Sequence, residues 1–228
     1  MSGEASASTA ATTPTAATTS TTPRTSGRRR VIVLRHGQTD DNARGVWQGQ
    51  VDSDLSSLGR EQARDAAGAL AAYAPSVVVA SDLKRAAETG AEVARACGVP
   101  ISYDARWREI HVGQWAGMTT EQVSSEFPEE RLRHLRGEDF VRGVDGESLS
   151  DVAQRVRAAL DDLLDSLPPG QTAVVATHGV TGRVVIAELV DLDRLTAWRV
   201  LGGFGNCHWA EVVEAENGWR IQTWNASA

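Results

Sequence analysis

Four stretches of the chain hold histidine, arginine or glutamate where such groups can do chemistry: 35-RHG-37, 81-SDLKRA-86, 109-EIHVGQWAG-117 and 177-THG-179. Three of them directly follow a compact apolar run, 31-VIVL-34, 76-SVVVA-80 or 172-TAVVA-176. Such runs, rich in β-branched residues, read as buried strands. Each then delivers an imidazole or a guanidinium to the carboxyl edge of a sheet, where ligands gather in α/β proteins. A lone histidine after a strand is an ordinary loop residue. Two His-Gly ends with Arg35 and Arg85 nearby are more, because converging cations repel one another unless an anion sits among them. The pattern predicts a phosphate pocket. Gly37 and Gly179 are expected to let the backbone approach a bound oxyanion. Helices starting after Gly179 and near Lys84 are expected to aim N–H groups at it. Phosphoryl transfer also needs a proton donor for the leaving oxygen. Glu109, between Trp107 and Trp115 in the sequence, is the candidate, since apolar surroundings raise a carboxyl pKa towards neutrality.

The elements that must position these groups alternate along the chain. The segment 56-SSLGREQARDAAGALAAY-73 predicts a helix capped by Ser56 or Ser57, with Leu58, Ala66, Leu70 and Tyr73 on one face. A second helix is expected from about Lys84 to Cys97, stopped by Gly98 and Pro100, and a short strand at 101–103 follows. The middle, residues 106–144, is less regular, with one short helix near 119–126. Then 148-SLSDVAQRVRAALDDLLDSL-167 gives a capping-box start at Ser148 and Asp151 and a stripe from Leu149 to Leu167. A further helix follows His178-Gly179, and residues 208–224 read as a hairpin turning at Asn217-Gly218. Apolar strands alternating with helices predict an α/β sandwich with helices on both faces of the sheet.

Composition narrows the class. The 228 residues fit one domain plus a tail, and 41% are hydrophobic, enough for a core. Residues 1–28 are mostly Ala, Ser, Thr, Pro and Gly and are expected to be disordered, which leaves 29–228 as the domain. The net charge of -7 argues against a nucleic-acid partner. No apolar run approaches the roughly 20 residues of a membrane span, so no membrane partner is expected. Two cysteines far apart read as reduced thiols of a cytoplasmic protein. His134, in 129-EERLRHLRGED-139, is expected on a solvated face. His111 is read as either facing the substrate or lying at the surface, and Trp47, Trp107 and Trp115 as candidate walls of the pocket.

LRHGQTDDN, SDLKRA, REIHVGQWAG and ATHG, in that order, resemble the histidine phosphatase (phosphoglycerate-mutase-like) superfamily from Val31 to Trp224. The resemblance implies a three-layer α/β/α sandwich with a mostly parallel mixed sheet. It implies His36 as a nucleophile that becomes a phosphohistidine. Arg35, Arg85 and His178 would hold the phosphoryl group with Asn42 and Gly179, and Glu109 would be the proton donor. Gln48 and Thr39 would contact substrate. No metal or cofactor is implied, and a homodimer is among the expected assemblies. The run EIHVGQWAGMT is similar to the phosphatase branch rather than the mutase branch. The stretches 47–63, 201–209 and 222–228 resemble phosphatases of actinobacteria that act on a glucosylated phosphoglycerate, and the chain departs from them in its tail, at Trp107 and in the middle segment. The expected function is a metal-independent phosphomonoesterase acting on a small sugar or glycerate phosphate. A phosphoglycerate mutase and a non-catalytic binding protein on the same scaffold are the alternatives.

Overall fold

The computed structural model describes Met1, Gly3 and residues 27–228, so the tail expected over 1–28 lies almost wholly outside the described residues. Six strands form one sheet: β1 (Arg30–Arg35), β2 (Val77–Ala80), β3 (Ile101–Tyr103), β4 (Thr172–Thr177), β5 (Trp209–Ala215) and β6 (Gly218–Ala226), in the order β3-β2-β4-β1-β5-β6. The first four in that order are parallel, while β5 and β6 run antiparallel as the predicted hairpin.

The helices are α1 (Asp40–Ala43), α2 (Ser57–Leu70), α3 (Lys84–Cys97), α4 (Thr120–Glu126), α5 (Pro128–Leu135), α6 (Leu149–Ser166), α7 (Gly179–Leu189) and α8 (Arg194–Val200). Strand alternation sorts the core into two layers. Ile32 and Leu34 of β1 pack towards α2 and α3, with Ala63, Ala66, Leu70 and Val93. Val31 and Val33 face α6 and α7, with Val152, Val156, Leu160 and Val185. Both faces are covered, so β4 is buried along its whole length. The predicted stripe of α6 is buried from Leu149 to Leu167, and its capping box at Ser148 and Asp151 is present. Among the described residues no helix is long and apolar enough to cross a membrane.

Two local expectations fail. Leu58 is 46% exposed, because small residues, Gly59, Ala63, Ala66 and Ala67, make the buried face of α2. His134 is 9% exposed rather than solvated. The side of α5 that carries it meets the rings of Trp47, Trp115 and Trp198, so an aromatic wall overrides the charge-rich sequence around it. Helices α5 and α8 carry little sequence signal of their own and escape the reading.

Candidate active site

Register brings three strand ends together. Arg35 of β1 lies opposite Thr177 of β4, and Ala80 of β2 lies opposite Ala176, so His36, His178 and Ser81 follow from three adjacent strands. The rings of His36 and His178 stand edge to face, 5.1 Å apart. At the mouth is a cavity of about 250 Å³ lined by Arg35, His36, Asn42, Trp47, Gln48, Arg85, Glu109 and Val180, among others. That is room for a small phosphoester rather than a polymer.

The tautomer of His36 is set by its backbone. Nδ1 lies 2.7 Å from the Gly37 carbonyl, which can only accept, so Nδ1 carries the proton and Nε2 presents a lone pair. Burial, with help from the Arg35 and Arg85 charges, holds the His36 pKa well below its ordinary 6.5. The imidazole is therefore neutral and nucleophilic at neutral pH. His178 is buried and held neutral by the same causes. Ser81 Oγ accepts from the Leu83 amide at 3.3 Å and lies 2.9 Å from His178 Nε2. Nδ1 of His178 has no partner among the described residues.

The two guanidiniums are fixed by carbonyls. Arg85 donates to Val51 O at 2.7 Å and to Gly49 O at 2.8 Å, and Arg35 donates to Phe204 O. Their Nε atoms are buried without partners among the described residues. Gly49 has φ +53°, and a Cβ there would lie 2.7 Å from Val112 Cγ2, so only glycine lets this turn present its carbonyl to Arg85. Asn42 Oδ1 accepts from the Thr39 amide and from Asn206 Nδ2, which leaves its own amide group for the cavity. Asn206 also donates to His36 O at 3.1 Å.

Several sequence expectations need correction. Thr39 does not line the cavity. It is fully buried as the N-cap of α1, and its Oγ1 takes hydrogen bonds from the Asn42 amide and from Gln48 Nε2. Gly37 is required by packing rather than by an oxyanion, since a Cβ there would meet Gly59 O at 2.4 Å. At Gly179 the nearest atoms to a would-be Cβ are 3.7 Å or more away, and the residue opens α7 without lining the cavity. The N-terminus of α7 is already occupied: Glu109 accepts from the Val180 and Thr181 amides at 3.1 and 3.0 Å, from Thr181 Oγ1 and from its neighbour Ile110. The first amide of α3, at Lys84, goes to Asp52. Trp107 and Trp115 are 2% and 0% exposed core residues, so of the three tryptophans only Trp47 walls the cavity. His111 does not line the cavity, and its amide donates to Glu147.

The supporting shell was hidden from the sequence. Arg155 of α6 pairs with Glu147 at 2.9 Å and donates to the carbonyls of Arg106, Arg108 and Glu109. It thereby fixes the segment that carries Glu109. Among the described residues no group of three or more His, Cys, Asp or Glu side chains is placed to share a metal ion.

Known proteins resemble this chain in sequence and fold. The family model described as the histidine phosphatase superfamily (branch 1) matches residues 31–227. The glucosyl-3-phosphoglycerate phosphatase of Mycobacterium tuberculosis (strain ATCC 25618 / H37Rv) is 38% identical over 215 residues, covering 88% of this chain and 96% of that one. A probable phosphoglycerate mutase, GpmB, of Yersinia enterocolitica is 31% identical over 194 residues, covering 85% of this chain and 89% of that one. The solved structure of mycobacterial glucosyl-3-phosphoglycerate phosphatase in complex with VO3 superposes with a TM-score of 0.81 at 38% identity, over 87% of this chain and all of that one. The identities place the phosphatase reading ahead of the mutase one.

Proposed function

The chain belongs to the histidine phosphatase superfamily, and from that premise we propose that it hydrolyses a small phosphomonoester through a phosphohistidine at His36. The observation that carries this reading is the buried, neutral His36. Its Nδ1 is tied to Gly37 O while its free nitrogen stands with two carbonyl-anchored guanidiniums around one cavity. Nε2 attacks phosphorus, and the phosphorus–oxygen bond to the alcohol breaks. The guanidinium groups of Arg35 and Arg85, which line the cavity, with the adjoining His178 ring, stabilise the phosphoryl oxygens, whose charge dominates the barrier. Glu109 gives the leaving oxygen its proton, then takes one from the water that attacks the phosphohistidine. The products are the alcohol and inorganic phosphate, and His36 is regenerated.

For the substrate beyond the phosphate, we propose a glucosylated phosphoglycerate, the substrate named for the mycobacterial relatives. A second cavity supports this. It shares Val46, Trp47 and Gln48 with the catalytic one and adds Asp41, Arg44 and Thr119. An indole beside polar groups suits a sugar ring. A homodimer and a cytoplasmic location stay proposals carried by the resemblance and by the two free cysteines.

The test is phosphate release from glucosyl-3-phosphoglycerate, 3-phosphoglycerate and simple sugar phosphates by the parent and by His36→Ala. The proposal expects turnover strongest on the first substrate, a trappable phosphoenzyme, and none of either in the variant. Undiminished phosphate release by His36→Ala would sink it. Isomerisation of 3-phosphoglycerate without phosphate release would favour the mutase.

A further inference from the structure

A second set of cations lies beside the catalytic cavity: Arg131 and His134 on α5, Arg142 in the loop before α6, and Arg183 on α7. Arg142 is 1% exposed. Among the described residues its Nε and one Nη have no hydrogen-bond partner, nor do Arg183 Nε, one Nη of Arg131 and His134 Nδ1. Arg183 reaches one carbonyl, donating from Nη1 to Leu201 O at a long 3.5 Å, and aromatic rings hold the cations otherwise. Arg183 lies 3.8 Å from the Trp198 ring centre and Arg142 5.5 Å from that of Phe140. The carboxylates nearby are engaged elsewhere: Glu147 by Arg155, Asp139 by Ser150, Glu130 by the Gly143 amide and Glu109 by the amides of α7. An unpaired buried guanidinium is costly to the fold, so the cluster is not there for stability.

Its position points to the substrate. Val180 lines the catalytic cavity and also a smaller one with Arg183 and Trp198. Arg183 follows Val180 by three residues and shares its helix face. Trp47 walls the catalytic cavity on one side, and its ring stands 5.0 Å from that of His134 on the other. Glu109, in the cavity, is the strongest attractive charge on both Arg142 and Arg183. Trp47 and Val180 are thus shared between the catalytic cavity and the surroundings of this cluster.

We propose that Arg142 and Arg183, flanked by Arg131 and His134, form a subsite for a carboxylate carried by the substrate a few atoms from its phosphate. A guanidinium fork matches a planar carboxylate in two parallel hydrogen bonds, and the flat ring walls suit a planar anion better than a tetrahedral one. Movement of the Trp47 or Val180 side chain joins the subsite to the cavity. The inference rests on the phosphomonoesterase reading and adds the residues that take the carboxylate of a phosphoglycerate-type substrate.

The test is calorimetric titration of the His36→Ala protein with 3-phosphoglycerate and with glycerol 3-phosphate, which differ only in the carboxylate. The expected result is a preference of about 10-fold or more for 3-phosphoglycerate, the value of a charged hydrogen-bonded pair. Adding Arg142→Met should abolish that preference and shift the affinity for glycerol 3-phosphate by no more than about twofold, since only the partner of the absent group is removed. Arg183→Met carries the same test should Arg142→Met fail to fold. Equal affinity of the two ligands before these changes, or an equal loss for both after them, overturns the proposal. Phosphate release by the parent is read separately. A preference without turnover would fail the phosphatase reading alone, and turnover without a preference would fail the subsite alone.

Discussion

Trp47 divides two groups of arginines that are built on different principles. On the catalytic side, Arg35 and Arg85 are pinned by the carbonyls of Phe204, Val51 and Gly49, with further N–H donors of each left over among the described residues. On the other side, Arg131, Arg142 and Arg183 lie against rings, which attract a cation without fixing its direction, and the one carbonyl among their partners, Leu201 O, is a long 3.5 Å from Arg183. Carbonyl anchors hold a charge in one place before the reaction, so its ordering is complete before the transition state forms. Ring contacts let a guanidinium turn towards whatever anion arrives. The contrast teaches that fixed arginines suit the invariant phosphoryl group, while adjustable ones suit the part of a substrate that varies.

The same substitution on the two sides should separate these principles most sharply. Arg85→Met is expected to lower kcat on the order of 10³-fold. It strands the carbonyls of Gly49 and Val51, so it should also cost about 1–3 kcal/mol in denaturant unfolding. Arg142→Met removes a cation with no partner to strand, so its unfolding free energy should be unchanged or higher. An equal destabilisation in both would erase the distinction. Next in size, Glu109→Gln is expected to lower kcat on the order of 10²-fold with each phosphoester tested. A loss confined to carboxylate-bearing substrates would instead assign Glu109 to the electrostatics of the second cluster.

Acid should then weaken the fold through histidines on both sides. The pKa of His134 is pushed down to about 3 by burial and by Arg142, Arg131 and Arg183, and those of His36 and His178 also lie well below 6.5. Between its folded and unfolded pKa, each histidine binds its proton only in the unfolded chain. Stability is therefore full above pH 6.5 and falls as the pH drops, by up to about 1.4 kcal/mol per pH unit for each histidine. His134→Phe should reduce that slope between pH 6.5 and about 3, and an unchanged slope would mean that the site is already hydrated. The smallest effect is expected at Thr39→Ala, about 1 kcal/mol of stability through the lost cap of α1.

The phosphoryl side was far more legible than its neighbour. Strand, turn and charge lie within a few residues at 31-VIVLRHG-37 and 172-TAVVATHG-179, so local pattern alone brings His36, Arg35 and His178 to one edge. The length of α6 was legible too, because its caps and stripe agree. What escaped depends on contacts distant in sequence. Asn206 reaches His36 across 170 positions, and Arg155 reaches Arg108 across 47. The arginine cluster was missed for a further reason. Arg131 and His134 sit in a charge-rich stretch that reads as solvated, and the rings of Trp47, Trp115 and Trp198 around His134 turn that side of α5 inward, while Arg183 is a lone cation in an apolar helix with no local signal of a role.

The close approach of Gly37 and Gly59 bears on how such a site can be inherited or transplanted. A Cβ on Gly37 would collide with Gly59 O at 2.4 Å, and one on Gly59 with Gln38 O at 2.0 Å. The loop bearing the nucleophile and the first turn of α2 are thus cut to fit each other. The portable unit is not the tripeptide R-H-G but that tripeptide together with a glycine 22 positions downstream. A graft that moved the first without the second would carry the chemistry into a host unable to seat it.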